Sequence, residues 1–288
     1  MLLVSAAGVV ATTSIAIGAE SSTARLSATE SVLEFGERFS LGGTVPIDGG
    51  TNVRIKFRPA GAESWKLLRE VHTDRRGNYA VRTRAYRNGA LRAVPARGGA
   101  SAPTPIRVRA RAAFHVAKHH VVLGNGVRLK GLVKPGGRRS IKVVVRGPGD
   151  DVVHDASARD GGFGLRWRAP RTGTYRLRAF AARNRRAKGS ASPVRRVTVY
   201  RYAAASWYGP GFYGNRTACG QTLTPGMLGV ANKSLPCGTK VKLRYRGRSV
   251  TVPVIDRGPY AAGREYDLTG ATKQRLGFPD TGTLLASK

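Results

Sequence analysis

Residues 250–272 read VTVPVIDRGPYAAGREYDLTGAT and place two aspartates around a tight turn. Asp256 ends an alternating apolar run, and Asp267 follows eleven residues later, after a Gly-Pro pair and a second glycine. From residue 201 onward the chain holds only four acidic residues against thirteen lysines and arginines. Two of those four carboxylates therefore flank one turn, which makes them candidates for a functional site.

The residues around this stretch indicate strands and turns rather than a helical fold. The runs 240–246 and 248–256 alternate apolar and polar residues and are separated by Gly247, which predicts two strands joined by a hairpin. One short helix is predicted between Thr269, as its N-cap, and Gly277, as its end.

Two copies of one unit precede this segment, at residues 24–112 and 113–200. Three positions recur 88 residues apart, namely Gly36 and Gly124, Leu41 and Leu129, and Gly43 and Gly131. In each copy an Asp/Gly turn precedes an aromatic strand, at 74–82 and at 160–168. Short alternating strands with turn signals in a unit of this length predict a seven-stranded sandwich of the immunoglobulin type.

The net charge of +34 comes from fifty basic and sixteen acidic residues. Many basic residues alternate with apolar ones, as in VRIKFR at 53–58 and IRVRAR at 106–111. Successive side chains of a strand point to opposite faces, so each sheet is predicted to have one apolar and one arginine-rich face. Such a face is either simply solvated or attracted to anionic polymers of a cell envelope. Nucleic acid is disfavoured, because the basic residues form no single patch or tail.

The first nineteen residues carry no charge and end in small residues, with Ala16, Gly18 and Ala19 before Glu20. This pattern is typical of a secretory signal and predicts a secreted or cell-envelope protein. A short uncleaved anchor is the alternative for residues 1–19, and it is the only membrane contact that the sequence suggests.

The chain has two cysteines, Cys219 and Cys237. In an exported protein this pair predicts one disulfide, and two free buried thiols are the alternative. A metal site on the pair is not predicted, because none of the five histidines lies beyond His154. The sequence suggests no metal and no other cofactor.

Residues 203–288 resemble the RlpA-like double-psi β-barrels, the septal ring lytic transglycosylases, and more distantly the barrel domain of expansins. The S-W-Y-G start at 206–209, the K-S-L-P-x-G-T-K-V block at 233–241 and the D-R-G-P-Y block at 256–260 occur in the family's order. The resemblance implies a six-stranded barrel with an open groove for a linear β-linked glycan. The predicted fold of the chain is therefore all-β, with two tandem immunoglobulin-like sandwiches followed by a six-stranded double-psi β-barrel.

The resemblance also implies that Asp256 and Asp267 project into one cleft. There a carboxylic acid can protonate the leaving oxygen of a glycosidic bond, while a hydroxyl of the substrate itself attacks. The residues implied to bind the glycan are Ser206, Trp207, Tyr208, Gln221, Asn232 and Tyr260. As a structural alternative, Asp256 caps the turn or pairs with Arg257 or Arg264, and Asp267 is a buried acid.

The chain departs from the lytic members of the family at two positions. Those members usually carry Glu and His where this chain has Gln221 and Asn232, and neither amide can act as an acid or base at neutral pH. The first predicted function is an exported cell-wall protein whose barrel binds and cleaves peptidoglycan glycan strands. The alternative is a non-catalytic, expansin-like glycan-binding or wall-loosening module carried on adhesive sandwich spacers, which the two amides favour.

Overall fold

The computed structural model describes residues 23–47 and 49–288, so both interpretations of residues 1–19 lie outside it. The described chain is all-β, as predicted, apart from one short helix. It forms two compact units: one comprises the described residues up to Ser31 with 37–85 and 89–106, and the other comprises 32–36, 86–88 and 107–288. No helix in the described part of the chain has the length and apolar character of a membrane span.

The first copy of the predicted repeat contains eight strands. They are β1 (Arg25–Ala28), β2 (Val32–Glu34), β3 (Arg38–Thr44), β4 (Asn52–Pro59), β5 (Lys66–His72), β6 (Asn78–Arg84), β7 (Gly89–Pro95) and β8 (Thr104–Arg109). One sheet has the order β1-β3-β6 and the other the order β2-β8-β7-β4-β5, in which β2 runs parallel to β8. Alternate residues such as Leu41, Val53, Ile55 and Leu91 are buried, as the period-two pattern predicts.

The second copy repeats this order. Its strands are β9 (Arg111–Val116), β10 (His120–Val122), β11 (Gly126–Lys134), β12 (Arg139–Arg146), β13 (Val152–Ala158), β14 (Gly162–Arg168), β15 (Gly173–Ala181), the two-residue β16 (Ser190–Ala191) and β17 (Arg195–Tyr208). The sheets have the orders β9-β11-β14 and β10-β17-β15-β12-β13, with β10 parallel to β17. The predicted sandwich repeat is thus confirmed, but the predicted number of seven strands is wrong, because the two sheet orders of each copy contain eight. One of the eight is a three-residue parallel strand, β2 or β10, which is too short to show a sequence period.

The last part of the chain closes into a ring of strands. After β17 come β18 (Val230–Ala231), β19 (Lys240–Tyr245), β20 (Arg248–Asp256), β21 (Tyr266–Thr269), the helix α1 (Gly270–Leu276) and β22 (Gly282–Ala286). Pairing follows the order β17-β21-β18-β20-β19-β22, and β22 also pairs with β17, which gives the six strands predicted. Closure leaves no free sheet edge around the interior, which Val230, Val252, Val254 and Leu268 fill.

The predicted local elements of this barrel are confirmed. β19 and β20 form the hairpin, and its two-residue turn, Arg246-Gly247, has positive φ at both positions, as a type I′ turn requires. The Thr269 side chain caps the start of α1, and Gly277 ends the helix in the left-handed conformation at φ 62°. β17 runs without a break through residues 200–203, where a domain boundary is predicted, and the division into 24–112, 113–200 and 203–288 stays a prediction.

Candidate functional site

Four residues lie in one row across four adjacent strands of the barrel. Ala231 of β18 pairs with Asp256 of β20 on one side and with Asp267 of β21 on the other, and Asp267 pairs in turn with Ser206 of β17. Residues paired directly across neighbouring strands point to the same face. The two aspartates are therefore two strands apart, about 10 Å between their backbones, and only the methyl group of Ala231 lies between them.

A β-bulge creates this row. Val230 pairs with Val254, but the next residue, Ala231, pairs with Asp256, so Ile255 is the extra residue on β20. A bulge re-aims the side chains that follow it. Without the bulge, Ile255 rather than Asp256 would lie opposite Ala231.

Asp256 is held by main-chain groups rather than by a cation. Its Oδ1 accepts hydrogen bonds from the amides of Ala218 and Arg257, each at 2.8 Å. The Arg257 guanidinium donates instead to the carbonyl oxygens of Asn232 at 3.1 Å and Leu235 at 2.8 Å. Within residues 23–47 and 49–288, Asp256 forms no ion pair, so the predicted alternative of pairing with Arg257 or Arg264 is wrong, whereas the capping alternative is realised.

Asp267 is bound by its neighbour in the row. The Ser206 hydroxyl donates a hydrogen bond to Asp267 Oδ1, and Ser206 is 3% exposed. The carboxylate itself is half-buried and has no ion-pair partner in the described part of the chain. The Asp267 carboxylate can therefore accept further hydrogen bonds at the barrel surface, and Ser206 already orients one of its oxygens.

Tyr208 lies on the same face as the two aspartates. It lies two residues beyond Ser206 on β17, hence on the same face. Its hydroxyl is buried and has no hydrogen-bond partner of ordinary geometry among the described residues. Burial raises the pKa of Tyr208 well above its usual value, and the negative charge of Asp256, a weak hydrogen-bonding interaction with that carboxylate and then the charge of Asp267 raise it further. The structure thus places one protonated phenol within electrostatic reach of both carboxylates.

Two aromatic side chains stand exposed around this region. Tyr260 is 83% exposed in the loop that follows Asp256. Phe212 is 55% exposed and contacts Tyr208 edge to face, with ring centroids 6.1 Å apart. Sequence reasoning did not select Phe212, although its place in a run of aromatic residues separated by glycines was a usable signal.

Trp207 is not brought to this face. It points to the opposite side of β17, against the barrel core, and its Nε1 donates to Asp280 at 2.7 Å. The Lys273 ammonium lies 3.9 Å from the centroid of the indole ring. Hydrogen bonds from Lys273 and then Trp207 lower the pKa of Asp280 below its usual value. One face of the indole is therefore occupied by a cation, and the predicted sugar contact of Trp207 stays a prediction.

The two amides at the positions where the resemblance implies Glu and His have different environments. Asn232 is 7% exposed; its Nδ2 donates to the Glu265 carbonyl at 2.9 Å, and its Oδ1 accepts from the amides of Ser234 and Leu235. The Asn232 side chain therefore braces a loop. Gln221 is exposed, and its main chain bonds to Thr217 in the tight loop that presents the Ala218 amide to Asp256.

The predicted disulfide is confirmed. Cys219 and Cys237 are bonded, with Cα atoms 5.7 Å apart, inside the usual range. The Cys219 amide also donates to the carbonyl of Ile255 at 3.3 Å. The bond thus ties the loop that presents the Ala218 amide to the loop that Asn232 braces, and both loops contact the end of β20.

A basic cavity of about 330 Å³ lies between the loop after β18 and the start of β21. Asn232 and Tyr266, each one residue from a member of the row, form part of its wall. Its charged lining residues are Arg201, Lys233, Arg264, Glu265 and Lys288. Arg201 pairs with Glu265 at 2.5 Å. The remaining positive charge suits a carboxylate. No group of three or more His, Cys, Asp or Glu residues in 23–47 and 49–288 is arranged to hold a metal ion.

Comparison with known proteins places the barrel in a family. A family model described as lytic transglycolase matches residues 201–285. The probable endolytic peptidoglycan transglycosylase RlpA of Synechocystis sp. is 38% identical over an alignment of 122 residues, and the match covers 35% of this chain and 38% of the relative. The protein of the same name from Aquifex aeolicus is 40% identical over 93 residues, 32% of this chain and 41% of the relative.

A third relative is the endolytic peptidoglycan transglycosylase RlpA of Pseudomonas aeruginosa, 39% identical over 94 residues, 32% of this chain and 28% of the relative. The chain spans less than half the length of each of these curated relatives. The match coincides with the closed ring of strands and with the row of Asp256 and Asp267. Residues 201–285 of this chain are an RlpA-like double-psi β-barrel.

Proposed function

We propose that the barrel binds peptidoglycan glycan strands and cleaves them as a lytic transglycosylase. The observation that carries the proposal is the row that brings Asp256 and Asp267 to one face, around the Tyr208 hydroxyl. The names of the relatives support peptidoglycan as the substrate. Export is part of the proposal; it rests on residues 1–19 and on the disulfide, a bond that persists in oxidising compartments.

In the proposed reaction Asp256 is the acid and base. Its Oδ1 is held by two amides, which leaves Oδ2 to carry a proton. Protonated Asp256 gives that proton to the glycosidic oxygen as the bond to the anomeric carbon breaks. The substrate's own hydroxyl then attacks the anomeric carbon and returns its proton to Asp256, which forms an anhydro end. Asp267, oriented by Ser206, stabilises the positive charge that develops on the sugar.

The test is product analysis with the purified full-length protein. Intact peptidoglycan and peptide-stripped glycan strands are incubated with the protein, and soluble fragments are examined by mass spectrometry. Anhydro-ended fragments are expected; fragments with reducing ends only would show hydrolysis instead. Binding of the glycan without any fragments would reject catalysis.

An expansin-like, non-catalytic barrel is the second candidate. One observation favours it: the Asn232 side chain, which stands where lytic relatives usually have His, is buried and hydrogen-bonded to main-chain groups. It supplies no proton, and exposed Gln221 supplies none either. In this candidate the same row binds glycan strands, and the sandwiches act as adhesive spacers. Retention on glycan strands without anhydro products identifies it.

Replacing Tyr208 by Phe should change stability and cleavage in opposite directions. The hydroxyl is buried and has no hydrogen-bond partner of ordinary geometry among the described residues, so its removal should raise the free energy of unfolding by up to about 1 kcal/mol. The release of anhydro-ended fragments should fall, because the phenol is then lost from the electrostatic environment of Asp256 and Asp267. Denaturant unfolding and mass spectrometry of soluble fragments measure the two effects. Unchanged cleavage would exclude the hydroxyl from the site.

Replacing Tyr260 by Ala should weaken glycan binding about fivefold, as expected for the loss of roughly 1 kcal/mol of ring contact. The ring is 83% exposed, so stability should hardly change. Tyr202→Ala is the matched control, because Tyr202 is a similarly exposed tyrosine of the same barrel, at 66%. Equal losses in both variants would contradict a specific role for Tyr260.

A further inference from the structure

Three arginines form a row on the outer face of the second sandwich. Arg146 of β12 pairs with Arg176 of β15, and Arg176 pairs with Arg196 of β17. All three side chains are exposed. Paired residues share a face, and neighbouring strands lie about 4.8 Å apart, so the three side chains start within about 10 Å of one another. These three residues are hereafter the arginine row.

The stability of the sheet does not explain the arginine row. Like charges placed directly opposite one another destabilise a sheet, and neighbouring members of the row are closer than the Debye length of about 8 Å at physiological salt. Elsewhere on the same sheet, Lys142 lies opposite Asp155. Arg146 does have a partner, Asp151 at 2.9 Å. Arg176 and Arg196 form no ion pair within residues 23–47 and 49–288.

The positive surface continues from Arg176 and from Arg196 along their strands. Arg178 follows Arg176 on the same face; its Nε donates to the Ser192 carbonyl at 2.9 Å, and its guanidinium lies 5.3 Å from the centroid of the Phe180 ring. Beyond Arg196, the Lys242 ammonium lies 3.5 Å from Thr198 Oγ1. The charged surface thus runs from the sandwich onto the barrel within one compact unit.

We propose that the arginine row binds a linear phosphate polymer that carries no bases. Guanidinium groups bind phosphate oxygens in pairs, with a fork geometry that suits this anion. Regularly spaced cations across a flat sheet suit a chain of repeated anions better than one small ion. The site lies outside the row of Asp256 and Asp267, so it does not depend on the proposed cleavage reaction.

Nucleic acid fits this surface less well. Proteins that hold single strands combine a basic groove with aromatic rings on which bases stack. Phe180 is an exposed aromatic side chain beside the arginine row, but Arg178 lies over its ring. Tyr200, four residues beyond Arg196 on the same face, is fully buried and cannot stack on a base. The major groove of a duplex admits a helix or a two-stranded ribbon, not the face of a wide sheet. The chemistry on this face is therefore contact with phosphate, without base recognition.

The test compares two charge-matched triple variants of the full-length protein, with inorganic polyphosphate as the probe. Arg146→Gln, Arg176→Gln and Arg196→Gln together should weaken binding at least about tenfold near 0.15 M salt, and should make it less salt-dependent, because guanidinium–phosphate contacts and their counterion release are lost. The control carries Arg75→Gln, Arg97→Gln and Arg183→Gln, three exposed arginines of turns and loops. It should lose less than about threefold.

Thermal unfolding gives a second readout. Without polyphosphate the arginine-row variant should melt at or above the native temperature, because repulsion is relieved. With polyphosphate the native protein should gain stability and the variant little. If the triple variant does not fold, the double variant Arg176→Gln with Arg196→Gln takes its place, because it keeps the Arg146–Asp151 pair. The double variant should also lose polyphosphate binding relative to the native protein.

Three outcomes would overturn the proposal. Equal losses in the two triple variants would show that net charge alone attracts the polymer. The absence of polyphosphate binding by the native protein near 0.15 M salt would show that there is no site. Tighter binding of single-stranded DNA than of polyphosphate, dependent on the arginine row, would identify a nucleic-acid surface instead.

Discussion

Asp256→Asn should lower the release of anhydro-ended peptidoglycan fragments by at least about 100-fold, the usual contribution of general acid–base catalysis. Asn keeps an oxygen that can accept from the amides of Ala218 and Arg257, so the loops around the turn should stay in place. It cannot deliver a proton to a glycosidic oxygen. Quantitative mass spectrometry of soluble fragments measures the loss, and sedimentation with glycan strands should show nearly native binding.

Asp280→Asn is the matched control for this prediction. Asp280 is an exposed acid of the same barrel, but it bonds to Trp207 and Lys273 on the other side of β17. Its replacement should leave cleavage within about twofold of native, as for a surface change away from the chemistry. If Asp256→Asn cleaves as well as this control, Asp256 only caps the turn. If it loses binding as well as cleavage, the carboxylate holds the glycan rather than transferring a proton.

Removal of the disulfide should have the next largest effect. Cys219→Ser with Cys237→Ser should lower the free energy of unfolding of the barrel by about 3 kcal/mol, because the bond closes a loop between positions 18 residues apart and limits the unfolded chain. Urea or guanidinium unfolding measures the loss. Cleavage should also fall, since the bond ties the loop that presents the Ala218 amide to Asp256.

The single variants give the internal control for the disulfide. Because the bond needs both sulfurs, Cys219→Ser or Cys237→Ser alone should cost nearly as much stability as the pair, and the double-mutant cycle should be strongly non-additive. Additive losses would mean that the two cysteines contribute by packing. A double variant as stable as the native protein would show that the bond does not stabilise the barrel.

Local sequence patterns predicted much of the fold. The runs at 240–246 and 248–256, with Gly247 between them, predicted the hairpin, because period-two alternation and a residue that tolerates positive φ are local requirements. Thr269 and Gly277 likewise marked the ends of α1, since capping depends on residues adjacent in sequence. The recurrence of glycines and leucines 88 residues apart predicted the two sandwiches, which share one strand order.

Part of the site could also be predicted from residues that are close in sequence. Ser206 and Tyr208 are two residues apart on a strand, so they share a face, and the same rule puts Trp207 on the other one. The family resemblance groups all three residues, because it names positions without the faces to which their side chains point. The alternation of β17 therefore held more information about Trp207 than the motif did.

The meeting of Asp256 with Asp267 depends on contacts between residues far apart in the chain. Ala231 comes to lie between the two aspartates because a bulge leaves Ile255 without a partner, and a one-residue change in pairing alters which side chain joins the row. Asn232 likewise braces a loop because the carbonyl of Glu265 lies beside it, and its predicted glycan contact stays a prediction. The amino-acid sequence alone determined the strands, the turns, the helix ends and the choice of Asp256 and Asp267 as candidate residues. Strand register and loop packing determined which of those side chains meet. Closure of the barrel sets both of them, through strand pairings across the whole domain.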